Sequence, residues 1–162
     1  MIQDNTVNIL GWIQYEKVKW LQNNNPEVQE IRDVFTGKVV QEKQYDVDHF
    51  IPWSFVMNDE LWNLMPMDSS LNSSKSNRLP QWDPFFEAFA GNQYVMYELI
   101  YEKPELHKRF EACYRDNLHS IWAGQELYRK DNSRETFYHI LEKNMMPVYD
   151  SARRQEYEIW NY

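Results

Sequence analysis

A chain of 162 residues that is 43% hydrophobic and 16% aromatic carries enough apolar surface to fold around its own core, which excludes a disordered chain and makes one domain over 1–162 the expectation. The lone Cys113 excludes an internal disulfide and a cysteine zinc site; no apolar run reaches membrane-spanning length, and MIQDNTVNIL lacks the basic start and apolar stretch of a secretion signal, so cytoplasmic residence is expected. A formal net charge of -8 argues against holding nucleic acid by bulk electrostatics, because phosphate contacts need clustered Lys and Arg.

Along the chain, Val7, Leu10, Ile13, Val18 and Leu21 recur at roughly helical spacing, which predicts a first helix from Thr6 to Gln22 that Asn23-Asn24-Asn25-Pro26 stops. Val34, Phe35, Val39 and Val40 flank Thr36-Gly37-Lys38, a small hairpin in which Gly37 supplies a positive φ. Tyr45 to Ile51 reads as an extended piece ending near Pro52, and Leu61 to Met65 as a second that meets Pro66. Asp68 or Ser69 then caps a short helix through Leu71, Lys75 and Asn77, closed before Pro80. From Pro84 onward the pattern is helical to the end, with breaks expected near Gly91-Asn92, Pro104, Ser120, Asn132-Ser133 and Pro147. The class is α+β: strand, loop, strand, helix, then a helical layer over 84–162.

The chemistry concentrates in YDVDHFIPWSFVMNDELWNLMPMDSSLNSSKSNRLP, where Asp48 and His49 are adjacent, Asn63 follows fourteen residues after His49, and Asn72 nine further on. A carboxylate and an amide oxygen are hard ligands that suit Mg²⁺, which keeps several waters and takes few protein groups, so Asp48 and Asn72 are the candidate metal ligands. In a regular strand Asp48 and His49 point to opposite faces, and Pro52 marks where that geometry ends. His49 is the candidate general base, since the unperturbed imidazole pKa of about 6.5 lies nearest neutrality. On the short helix Asn72, Lys75 and Ser76 share one face, which places Lys75 as a phosphate-binding ammonium; Arg78 offers a forked contact to phosphate.

These residues resemble the HNH endonucleases, or ββα-metal nucleases, from about Phe35 to Pro80. The likeness rests on Phe35-Thr36-Gly37-Lys38, Tyr45-Asp46-Val47-Asp48-His49-Phe50-Ile51-Pro52, Trp62-Asn63-Leu64 and Asn72-Ser73-Ser74-Lys75-Ser76. The Asp-His-x-x-Pro pattern is also similar to the HNH domain of the CRISPR RNA-guided nucleases, and the flanks to standalone bacterial proteins with this core. Asn72 stands at the third motif position, which makes this an H-N-N variant without the CxxC pairs of zinc-bearing members. The resemblance implies a ββα core at about 33–80, DNA as substrate, and Mg²⁺, Mn²⁺ or another divalent cation on Asp48 and Asn72. It further implies that His49 activates water and that Asn63 braces the loop bearing His49.

Two rival functions fit the same residues. The acidic balance suits a module that relies on a protein partner, or on a second copy of the chain, within a defence or recombination assembly. An RNA-cutting toxin would use the same core. His107, His119 and His139 lie in helical stretches without paired carboxylates at ligand spacing and read as structural. The same holds for the aromatic residues of the C-terminal half.

Overall fold

The computed structural model describes residues 31–40, 45–117 and 119–162, with the side chains of 113–117 excepted. The helix expected from Thr6 to Gln22 lies outside them.

The 33–40 segment is a tight turn. Gly37 takes φ +69°, its N–H donates to the Asp33 carbonyl, and Asp33 N–H donates to the Lys38 carbonyl, both at 2.9 Å. The expected hairpin reduces to one antiparallel bridge, Arg32 to Val39. What fixes the turn is the buried Asp33 carboxylate. Its Oδ1 accepts from the N–H groups of Phe35 (2.9 Å) and Thr36 (2.7 Å), and its Oδ2 reaches across to Asp68 N–H at 2.8 Å.

Strand β1 (Tyr45–His49) pairs antiparallel with β2 (Leu64–Asp68), in a register running from Tyr45 opposite Asp68 to His49 opposite Leu64. Pro66 does not end the second piece; it lies inside β2, opposite Val47. A two-stranded sheet has only edge strands, where a residue with no N–H to give is tolerated. Between the strands come a short helix α1 (Trp53–Val56), a left-handed turn at Met57 with φ 59°, and a 3₁₀ turn at Leu61–Asn63.

Helix α2 (Ser69–Lys75) starts at Asp68, whose carboxylate accepts from Ser70 N–H (2.9 Å) and Leu71 N–H (3.2 Å). Such a cap satisfies amides that the first turn leaves without partners. Ser76, at φ 49°, closes the helix. Strand, loop, strand and helix thus follow in the expected order.

The C-terminal half departs from expectation in three places. Helix α3 (Trp82–Glu102) runs through Gly91 without a break. A Cβ there would meet the Tyr138 hydroxyl at 3.1 Å, so the glycine serves close packing of α3 against α5. Helix α4 (Pro104–Asn117) and a π-turn at Ala123–Leu127 lead to α5 (Arg134–Arg154), capped by Ser133 and continuous through Pro147. The chain end is not helical: β4 (Ile159–Trp160) pairs in parallel with β3 (Leu79–Pro80). The last residues thereby close onto the end of the ββα core, where Tyr149 donates to the Pro80 carbonyl at 2.6 Å.

Apolar packing joins the two halves. Phe50, fully buried just after β1, meets three rings of α3: Phe89 with centroids 4.6 Å apart, Trp82 at 6.0 Å and Phe86 at 6.2 Å. The buried Gln93 amide donates to the carbonyls of Leu61 (3.1 Å) and Leu64 (2.8 Å), which ties α3 to the chain entering β2. The helical layer therefore holds the loop from which the site is built.

Candidate active site

Strand alternation puts Asp46 and Asp48 on the same face of β1, and helical spacing puts Asn72 and Lys75 on the same face of α2. The two faces meet. Asn72 Nδ2 donates to Asp46 Oδ2 at 3.2 Å, and Lys75 Nζ donates to Asp48 Oδ2 and to the His49 carbonyl, both at 2.9 Å. Asp48 and Asn72 thus border one seam, each beside the partner of the other.

His49 ends the strand, 6% exposed. Its Nε2 lies 3.0 Å from Asp59 Oδ1, and its Nδ1 lies 4.0 Å from Asp48 Oδ1, too far for a hydrogen bond. The ring is not sealed in apolar packing: one nitrogen is held by a carboxylate and the other turns toward the Asp48 side. Burial depresses the His49 pKa below its ordinary 6.5, against the opposite pull of Asp48 and Asp59 and with a smaller contribution from Lys75. The neutral ring is favoured.

Asn63 is fully buried and grips Ile51 on both backbone groups: Oδ1 accepts from Ile51 N–H and Nδ2 donates to the Ile51 carbonyl, each at 2.8 Å. With Phe50 N–H donating to the Asn63 carbonyl at 2.8 Å, the turn leaving His49 is held from both sides. A side-chain amide is the group that offers one donor and one acceptor in this fork.

The two proposed phosphate-binding cations lie elsewhere than the sequence reading expects. Lys75 shares its face with Asn72 as expected, but β1 covers that face, so the side chain is fully buried and its ammonium meets Asp48 and not a phosphate surface. Burial lowers its pKa, opposed by the Asp48 charge and hydrogen bond. Arg78 folds back on α2, with Nε donating to the Lys75 carbonyl at 3.4 Å and a terminal nitrogen to the Ser74 carbonyl. Ser76 falls outside the helix, so it does not join their face.

Residues 33–81 match the family model described as HNH endonuclease. This segment belongs to the HNH endonuclease family. No curated protein and no solved structure matches the chain. HNH proteins are generally nucleases that bind nucleic acid and use divalent metal ions, and the ββα core β1-β2-α2 is their fold. No helix is long and apolar enough to cross a membrane among the described residues.

The HNH core offers a cation a mixed donor set. Among the described residues no three His, Cys, Asp or Glu side chains gather as a metal site. Hard oxygen atoms nevertheless border the β1–α2 seam: the carboxylates of Asp46 and Asp48, and the amide oxygen of Asn72, whose nitrogen is the atom engaged with Asp46. Asp48 already carries a positive group, the Lys75 ammonium. That ammonium takes one Asp48 oxygen and offsets part of its charge, so a hard divalent ion that keeps most of its water would rest on the other Asp48 oxygen and the Asn72 amide oxygen.

Two residues of this neighbourhood escaped the sequence reading. Asp46 was legible, since it stands two residues before Asp48 and must share its face. Asp59 was not: it comes ten residues after His49, in a loop with no periodic signal, and only the fold brings it to the ring.

Proposed function

We propose that this chain is a cytoplasmic, divalent-cation-dependent endonuclease that hydrolyses DNA phosphodiester bonds, working as one domain over 1–162. His49 is its general base, Asp48 and Asn72 its cation ligands, and Asn63 the brace of the His49 turn. The observation that carries this reading is the placement of a neutral-favouring imidazole at the end of β1, with one nitrogen anchored and the other 4.0 Å from the Asp48 carboxylate.

In the proposed reaction Nδ1 of His49 takes a proton from water as the water oxygen attacks phosphorus. The bond from phosphorus to the 3′-oxygen breaks, and that oxygen gains a proton from solvent, leaving a 5′-phosphate and a 3′-hydroxyl. A bound Mg²⁺ or Mn²⁺ would supply charge stabilisation on the scissile phosphate and its leaving oxygen. Asp48 and Asn72 would hold it, while Lys75 keeps the Asp48 carboxylate and the His49 carbonyl in register. One such centre cuts one strand at a time.

The net charge of -8 favours a second reading, in which a protein partner or second copy provides DNA binding. Supercoiled plasmid incubated with purified chain and Mg²⁺ or Mn²⁺ tests the first. Nicking that disappears in His49→Ala is expected. No nicking with any divalent ion, or nicking that His49→Ala leaves intact, overturns it; cleavage of RNA in preference to DNA would reassign the substrate.

A further inference from the structure

We infer that Asp59 is a positioning residue: its carboxylate holds the His49 ring in the Nε2–H tautomer and so designates Nδ1 as the nitrogen that accepts the proton. The inference rests on the proposed role of His49.

The contact is short and enclosed. Asp59 Oδ1 lies 3.0 Å from His49 Nε2, and the two side chains are 8% and 7% exposed. A carboxylate without its proton is an acceptor only, so the nitrogen facing it must carry the hydrogen. In a neutral imidazole the other nitrogen then bears the lone pair. That nitrogen is Nδ1, on the Asp48 side of the ring. A backbone carbonyl in place of Asp59 would fix the tautomer but would lack the charge that stabilises the imidazolium formed when Nδ1 takes a proton.

The loop carrying Asp59 is itself held in place. On its N-terminal side Met57 adopts the left-handed conformation and donates to the Trp53 carbonyl at 2.6 Å. On its C-terminal side Glu60 is buried, accepting from Trp62 Nε1 (3.0 Å), His119 N–H (3.0 Å) and Ser120 Oγ (3.1 Å). Asn63 N–H closes on the Glu60 carbonyl at 2.9 Å. The segment between α4 and the π-turn thus anchors the residue next to Asp59. This gives the helical half a part in the chemistry, through the placement of one carboxylate.

The test has two readouts on the full chain. Long-range ¹H–¹⁵N NMR of the imidazoles reports which His49 nitrogen carries hydrogen. The wild type is expected to show the Nε2–H tautomer, and Asp59→Ala a mixture of both. Plasmid nicking provides the second: Asp59→Asn, which keeps the volume and can face the ring with either its oxygen or its nitrogen, should lose roughly 10- to 100-fold in kcat with KM unchanged. Asp59→Glu should recover part of that loss. A wild-type ring in the Nδ1–H form, or Asp59→Ala with an unchanged tautomer, overturns the inference; so does Asp59→Asn cutting at the wild-type rate. A wild type that never nicks, yet shows the Nε2–H form lost in Asp59→Ala, overturns the nuclease reading while the positioning of the ring stands.

Discussion

The ammonium of Lys75 is shared between Asp48 Oδ2 and the carbonyl oxygen of His49, at 2.9 Å from each. One side chain from α2 therefore fixes two consecutive residues of β1, the carboxylate of one and the backbone of the next. The arrangement follows from the helix placing Lys75 one turn past Asn72, on the face that meets the strand.

Replacing Lys75 by alanine should be costly. The change deletes a fully buried four-carbon stem, strips a buried carbonyl of its donor and leaves Asp48 without its counter-charge. A loss of about 3–5 kcal/mol is expected from cavity and unpaired-group effects combined. Urea unfolding of wild type and Lys75→Ala measures it. A loss below about 1 kcal/mol would mean that the ammonium is not held as described.

Asn63 should tolerate no substitution. Asn63→Ala leaves the Ile51 N–H and carbonyl without partners in a buried setting, and about 2–4 kcal/mol of stability should be lost. Asn63→Asp is the sharper variant. It keeps the size and the acceptor but turns a second oxygen toward the Ile51 carbonyl, so it should also destabilise, while any variant that folds should cut DNA poorly because the His49 turn is released. Thermal melts beside nicking rates check both effects, and Asn63→Asp as stable and active as wild type would contradict the fork.

The legible part of this site was what lies close in sequence or obeys a period. The Asp68 cap, the Gly37 turn and the adjacency of Asp48 and His49 all follow from local chemistry, and the structure displays them. Helical spacing makes Lys75 a surface cation beside Asn72 because it says which residues share a face but not what that face meets; β1 covers it. Asp59 carries no local signal, since its partner is the His49 ring, and Glu60 shows only its bond to Trp62 locally, its other partners lying some sixty residues away. Proline chemistry predicts breaks at Pro66 and Pro147, yet an edge strand and a well-packed helix absorb them.

Asp33 ties the 33–40 turn to the start of α2, accepting from Phe35, Thr36 and Asp68 N–H groups with two oxygens. Asp33→Ala strands three donors near the core, and about 2–4 kcal/mol should be lost. Asp33→Asn presents only one acceptor oxygen, so it can serve the turn or the Asp68 amide but not both. Its loss should be intermediate, and hydrogen exchange at the Asp68 amide should quicken in both variants. Unchanged protection of that amide would argue that the link from turn to helix adds nothing.

The pH dependence of cleavage follows from the buried imidazole. Desolvation lowers the His49 pKa below 6.5; Asp48 and Asp59 pull it upward and Lys75 lowers it, and a divalent ion beside Asp48 would lower it further. A base must be unprotonated to act, so kcat/KM should rise with pH through a folded-state pKa that lies below 6.5 and level off above it. Folding carries the same sign. The native state binds this proton less readily than the unfolded chain, so the His49 contribution is present in full above 6.5 and is lost as pH falls through the lowered native value. Glu60, pushed upward by burial, acts oppositely: it penalises the native state most above its raised value, and the penalty fades as pH falls through that value. Comparing wild type with Glu60→Gln and with His49→Gln across pH 4–8 separates the two in unfolding experiments. An acid limb of cleavage centred above pH 6.5 would mean that His49 titrates as a solvent-exposed or carboxylate-dominated ring, contrary to its enclosure between Asp59 and the β1–α2 seam.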